Sequence, residues 1–123
     1  HLVLAARHAE RLARLDYPYD SLRDLMVAEG LLTLQLIWRA QPTLFHARNP
    51  APSCGLYEDP ATGSAAAALG GYLRALGQVP PGGRFTVLQG EAMGRPSRLE
   101  VSIPERGGIV VSGTAVPLLT PGR

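Results

Sequence analysis

Ser53-Cys54-Gly55-Leu56-Tyr57-Glu58-Asp59-Pro60-Ala61-Thr62-Gly63-Ser64-Ala65-Ala66-Ala67-Ala68-Leu69-Gly70-Gly71-Tyr72-Leu73-Arg74-Ala75-Leu76 reads as a loop that becomes a helix, and the rest of the chain is arranged around it. Ser64 to Leu76 is almost all Ala, Leu and Gly. Alanine is the strongest helix former, and an Ala–Gly face lets other backbone approach closely. A helix that is apolar nearly all round is a buried helix. Gly77 follows where a left-handed cap would stop it. The stretch therefore predicts a buried helix through the middle of a small domain. At its start, Thr62 or Gly63 serves as N-cap, leaving the amides of Gly63, Ser64, Ala65 and Ala66 without partners inside the helix. With the helix dipole, those amides form a site for a carboxylate or phosphate. Pro60 stiffens the approach, and Glu58 and Asp59 put acidic groups close to that end. Two readings stand at this point. Asp59 and Thr62 cap a core helix, or they flank an anion site.

The chain has 123 residues, enough for one domain (1–123) with a modest core. Its formal charge is +2, and its twelve basic residues are all Arg and are scattered, which argues against a nucleic-acid surface. Cys54 is the one cysteine, so no internal disulfide forms. No leader pattern and no apolar run of membrane-spanning length appears, and the expected location is cytoplasmic. The sequence begins at His1 without methionine, and Leu2-Val3-Leu4 already reads as a strand. The expectation is that an upstream portion was removed or lies on another chain.

In order, Leu2–Leu4 reads as a strand and Ala5–Leu15 as a helix with His8 on its solvated face. Asp16-Tyr17-Pro18 breaks it. Asp20 or Ser21 caps a second helix that Gly30 ends. Leu31–Arg39 reads as a largely buried strand, and Thr43–Asn49 as its hairpin partner across Pro42. His46 and Arg48 share a face of that partner. There Arg48 can hold Glu58, Asp59 or a substrate carboxylate. Arg84–Gln89, Ser97–Ile103 and Ile109–Val116 read as three further strands, and Pro117–Arg123 as a tail. Short turns between consecutive strands predict an α+β domain, with a mostly antiparallel sheet curled around the central buried helix.

Four blocks carry a resemblance: Phe45-His46-Ala47-Arg48-Asn49-Pro50, Tyr57-Glu58-Asp59-Pro60-Ala61-Thr62-Gly63-Ser64-Ala65, Gln89-Gly90-Glu91-Ala92-Met93-Gly94-Arg95-Pro96-Ser97 and Val111-Ser112-Gly113-Thr114-Ala115. Their order and spacing resemble the second half of the phenazine biosynthesis PhzF-like family, whose fold is similar to diaminopimelate epimerase. The resemblance covers essentially the whole chain and about half of a family member. It implies a curled sheet around a central helix, and an active site in the cleft between two such halves. It favours the anion-site reading of the helix start.

By that resemblance, Asp59 matches an aspartate beside the substrate that orients it or aids proton transfer. Gly63 and Ser64 match positions that hold the substrate carboxylate, and Thr62, Ala65 and Arg48 are the further candidate substrate-binding residues. Thr62 stands where the true epimerases have their second catalytic cysteine. A threonine hydroxyl is too weak an acid to shuttle an α-proton unaided, so a two-thiol racemase is disfavoured. The family's principal base is a glutamate of the first half, absent from this chain. The implied function is an isomerase moving a proton on a small amino-acid-like substrate, with a non-catalytic binding or assembly domain as the alternative. No metal or cofactor is called for: three histidines and one cysteine are scattered, and the Gly-Ser after Thr62 lacks the lysine of a phosphate loop. A lone half would expose its cleft-facing apolar surface, so the expected partner is a second copy or an N-terminal half.

Overall fold

A computed structural model describes residues 1–119. Its elements are β1 (Leu2–Ala5), α1 (Ala9–Ala13), α2 (Tyr19–Ala28), β2 (Leu34–Gln41), β3 (Leu44–Ala51), a 3-10 turn at Pro52–Cys54, β4 (Leu56–Asp59), α3 (Gly63–Ala75), β5 (Arg84–Gln89), a second 3-10 turn at Glu91–Met93, β6 (Ser97–Ser102) and β7 (Val110–Ser112). The strands form one seven-stranded sheet ordered β1-β2-β3-β5-β6-β7, with β4 added to β3.

Its antiparallel character holds for β2–β3, β3–β4, β5–β6 and β6–β7. The pairings β1–β2 and β3–β5 are parallel. The reason is the connections: parallel neighbours need a long crossover, and here α1 with α2 supplies one and α3 the other. Along β3, Leu44–Ala47 pairs with β5, and Asn49 and Ala51 pair with β4. β4 thus takes over where β5 ends, which sets Gln89 beside Asp59.

One face of the sheet curls around α3. Ala66, Leu69 and Leu73 of the helix share a core with Ile37, Phe45, Ala47, Phe85, Val87, Leu99, Val101 and Ile103, and Val3, Ile109 and Val111 pack against it. The Phe45 and Phe85 rings meet edge to face at 5.4 Å. α1 packs on β2 and α2 on the Pro52–Cys54 turn, burying Leu12 and Met26. Both α2 and α3 end as the glycines predicted. Gly30 and Gly77 adopt φ of +65° and +66°, and the Leu31 and Gln78 amides reach back to the Met26 and Leu73 carbonyls.

Several boundaries move. The predicted helix over Ala5–Leu15 contracts to α1, because Ala5 pairs with Ile37 in the sheet and the ladder overrides alanine's helix preference. α2 starts earlier than an Asp20 or Ser21 cap would place it, at Tyr19 with Pro18 as N-cap. Asp20 instead lies in the first turn and pairs with Arg23 at 2.8 Å. The last strand shrinks to Val110–Ser112. Pro117 to Leu119 of the predicted tail are exposed, and the rest of it lies outside the described residues.

The larger correction concerns burial. α3 is enclosed on one side only. Ala65, Ala66, Leu69, Gly70 and Leu73 are buried, whereas Ser64, Ala75, Tyr72 (51%) and Leu76 (50%) are exposed. The sheet stays open because β1 and β7, its two edge strands, do not pair.

The adjacent helical glycines test this arrangement. A Cβ at Gly70 would fall 2.8 Å from Ile109 Cγ2 and 3.1 Å from Val101 Cγ1, while one at Gly71 meets nothing within 4 Å. In urea unfolding, Gly71→Ala should stabilise by about 0.5–1 kcal/mol, because alanine orders a helix at lower entropic cost. Gly70→Ala should give a net loss, since overpacking costs about 1–3 kcal/mol. Stabilisation by both substitutions would mean that β6 and the Ile109 segment do not sit on the helix.

Candidate functional site

The start of α3 is set by a turn, not by a side-chain cap. Thr62 is the N-cap residue, but its side chain makes no cap hydrogen bond. The Thr62 hydroxyl instead donates to Asp59 Oδ2 at 2.5 Å. The first helical bond runs from the Ala66 amide to the Thr62 carbonyl at 3.0 Å, so Ala66 is satisfied. The amides of Gly63, Ser64 and Ala65 have no hydrogen-bond partner among the described residues. They form the positive end of the helix.

β4 delivers Asp59 to that end. Side chains alternate along a strand, and Asn49 sits opposite Asp59 in the β3–β4 register. Asn49 is two residues on from Ala47, which packs in the α3 core, so Asp59 and Asn49 share the helix face. Asn49 is wholly buried, and its Nδ2 donates to Gln35 Oε1 at 2.7 Å and to Thr33 Oγ1 at 3.1 Å. A buried polar row thus lies beside Asp59. Two of its atoms, Gln35 Nε2 and Asn49 Oδ1, have no hydrogen-bond partner among the described residues.

The same alternation turns Arg48 and Glu58 to the opposite face. Arg48 grips Glu58 with a bidentate pair, Nε to Oε1 at 2.8 Å and Nη2 to Oε2 at 2.7 Å. Its Nη1 donates to the Ala13 carbonyl of α1 at 2.9 Å. Both side chains are largely buried, at 14% and 5% exposure. Of the partners expected for Arg48, the structure selects Glu58. The guanidinium is spent on protein groups and lies across the sheet from the α3 N-terminus, so Arg48 does not meet Gly63, Ser64 and Ala65 as a substrate ligand. It anchors β4, and through it Asp59. His46 shares the Arg48 face, as predicted, but its Nδ1 pairs with Glu91 Oε2 at 2.7 Å instead of reaching toward Asp59. Exposed Cys54 lies in the 3-10 turn, and His8 is the exposed N-cap of α1.

Gln89 is the residue to which sequence reasoning assigned no role. It is wholly buried, and its Nε2 donates to the Asp59 carbonyl at 2.7 Å and to Thr62 Oγ1 at 2.9 Å. The Thr62 amide donates to its Oε1 at 3.2 Å. A signal was present: Phe85, Val87 and Gln89 alternate on the inward face of β5, so the last of them is a glutamine in line with two core residues.

Tyr17 stacks on Tyr57 at 4.4 Å and donates its hydroxyl to the Tyr57 carbonyl, two residues before Asp59 in β4. Burial, then the neighbouring Tyr57, Tyr19 and Glu58, push its hydroxyl up to about 12, so it stays a donor at neutral pH.

A family model described as "Phenazine biosynthesis-like protein" matches residues 1–120. The chain is 42% identical over 69 residues to an uncharacterized isomerase of Mesorhizobium japonicum, covering 55% of this chain and 23% of that protein. It is 35% identical over 96 residues to the trans-2,3-dihydro-3-hydroxyanthranilate isomerase of Pseudomonas aeruginosa, covering 78% of this chain and 30% of that one. Among solved structures, a predicted epimerase from Pseudomonas aeruginosa superposes with a TM-score of 0.66 at 31% identity, over 96% of this chain and 42% of the other. A phenazine biosynthesis protein of the PhzF family from Bacillus anthracis is similar in fold, with a TM-score of 0.75 at 17% identity, over 91% and 41%. The chain spans less than half the length of the relatives it matches.

The Arg48–Glu58 pair generates a stability prediction. Arg48→Met should cost about 3–5 kcal/mol in chemical denaturation, because it strands a buried carboxylate. The double variant R48M/E58L should recover most of that loss. A double variant no more stable than R48M would mean that the cost lies in the bond to Ala13 and not in the stranded charge.

Proposed function

Because the chain belongs to the phenazine biosynthesis-like protein family, we propose that it is the C-terminal half of an isomerase that moves a proton on a small amino-acid-like substrate. The cleft is shared with an N-terminal half that carries the base, a glutamate in the family this sequence resembles. Among the described residues no helix is long and apolar enough to cross a membrane. The protein works in the cytoplasm on a free small molecule, without nucleic acid or metal. The exposed apolar residues Leu2, Leu4, Tyr72 and Leu76 support a covering partner, either that N-terminal half or a second copy.

The observation that carries the reading is the juxtaposition of Asp59 with three unpartnered amides at the start of α3. An anionic substrate group meets the amides of Gly63, Ser64 and Ala65, where the helix end favours negative charge. Asp59 then lies within reach of the substrate's ammonium or of its reacting carbon. The base takes a carbon-bound proton, the electron pair of that C–H bond shifts the adjacent double bond, and a proton is returned at the far carbon. One proton leaves and one returns, so no oxidant or reductant enters. The commitment of the Thr62 hydroxyl to Asp59 supports this isomerisation over racemisation by a pair of thiols, since Thr62 has no acidic proton to give. Trans-2,3-dihydro-3-hydroxyanthranilate, the substrate named by the Pseudomonas aeruginosa relative, is the compound class to try first.

The test is turnover of that compound by the whole protein in D2O. Isomerised product carrying one carbon-bound deuterium is expected, and Asp59→Asn should lower kcat by about 10²–10⁴-fold, the range of a lost acid–base group. Wild-type turnover by D59N would remove Asp59 from the chemistry. Deuterium exchange at the α-carbon without change of constitution would point to a racemase instead.

A further inference from the structure

Gln89 has no contact with solvent, yet both hydrogens of its amide and the one hydrogen bond its Oε1 accepts are spent on a single turn, Asp59-Pro60-Ala61-Thr62. We propose that Gln89 is the positioning residue of the Asp59 site, and that it decides which oxygen of Asp59 faces the substrate. The proposal rests on the reading of Asp59 given above.

The geometry admits one polarity. The Thr62 amide can only donate, and the Asp59 carbonyl can only accept. Gln89 therefore points Oε1 at the first and Nε2 at the second; the reversed amide would set donor against donor and acceptor against acceptor. The remaining Nε2 hydrogen goes to Thr62 Oγ1. That hydroxyl, occupied as an acceptor, turns its own hydrogen to Asp59 Oδ2. The chain of donation runs from Gln89 to Thr62 to Asp59. Oδ1 is left without a hydrogen-bond donor among the described residues. A proton carried by Asp59 then resides on Oδ1, and an ionised Asp59 offers Oδ1 to the substrate.

The turn that follows Gln89 braces the same segment. Gly90 has φ +79°, and a Cβ there would fall 2.8 Å from the Pro60 carbonyl and 2.2 Å from that of Arg95. The single Ser97 hydroxyl hydrogen is shared between the Pro60 carbonyl, 3.0 Å from Oγ, and that of Gln89 at 3.2 Å. The β5–β6 connection is thus seated on the backbone that carries Asp59. That fits placement of a reacting group, where errors of about 1 Å cost on the order of 10²-fold in rate.

Two variants in the whole protein test it. Q89E keeps the shape, but its ionised form donates no hydrogen bond and faces Asp59; Glu91, paired with His46, and Arg95 lie on the adjoining turn. Q89L removes the polar group. With trans-2,3-dihydro-3-hydroxyanthranilate as substrate, both should lose on the order of 10²-fold in kcat at neutral pH, with KM within about threefold. Q89E should regain about tenfold relative to wild type as pH falls and its new carboxyl gains a proton, while Q89L stays flat. Without any substrate, the Thr62 hydroxyl proton should be a slowly exchanging NMR signal in the wild type and be lost in Q89L. An unchanged hydroxyl signal in Q89L overturns the proposal whether or not that compound is turned over. Parallel pH profiles for Q89E and Q89L overturn it as well. If D59N retains wild-type turnover while the hydroxyl signal behaves as expected, the reading of Asp59 is what fails, and the proposal falls with it.

Discussion

The small side chains on one face of α3 are the constraint on which the remaining structure depends. Ala65, Ala66 and Gly70 let the sheet come close enough to curl, and Leu69 and Leu73 fill the space between the two. Gly70 marks the tightest point, where Ile109 and Val101 leave no room for a methyl group. A larger side chain there would push the β6–β7 side of the sheet away. Because the helix is gripped along its length, its N-terminus is fixed relative to the strands that end beside it. Burial in this case positions a functional end as well as stabilising the fold.

At that end the chain trades apolar packing for a polar layer. Thr33, Gln35, Asn49, Thr62 and Gln89 are all buried. Each buried polar group is costly unless it is bonded, and nearly all of these are. The connected set of Gln89, Thr62 and Asp59 is directed, whereas among the described residues Gln35 Nε2 and Asn49 Oδ1 are left open. A hydrocarbon layer would pack as well and give more stability. The polar one holds a carboxylate and the amides of Gly63, Ser64 and Ala65 in a defined relation, which apolar contacts cannot do because they lack direction.

The two faces of β3 and β4 divide the labour. On the α3 face, Asn49 and Asp59 line the helix start. On the other, Arg48, Glu58 and the Ala13 carbonyl tie β3, β4 and α1 together. Strand alternation alone makes this division, so neighbouring acidic residues in sequence take opposite tasks: Glu58 is structural and Asp59 faces the helix end.

The sequence by itself determined what depends on neighbours along the chain. Alanine content and the flanking Gly77 marked α3, Pro42 marked the β2–β3 hairpin, and the Tyr57–Ala65 block together with three others carried the resemblance to the family. It also placed Asp59 and Thr62 at the helix start. Only the tertiary structure decided the rest: the parallel pairings, the addition of β4 to β3, the exposed side of α3, and the partners of Arg48, His46 and Gln89. Those partners are 10 and 35 residues away for Arg48, 45 for His46, and 27 and 30 for Gln89. Propensity and periodicity are local, and they say which face a residue takes. Which group waits on that face is settled by how distant segments pack, and no pattern within a single element encodes it.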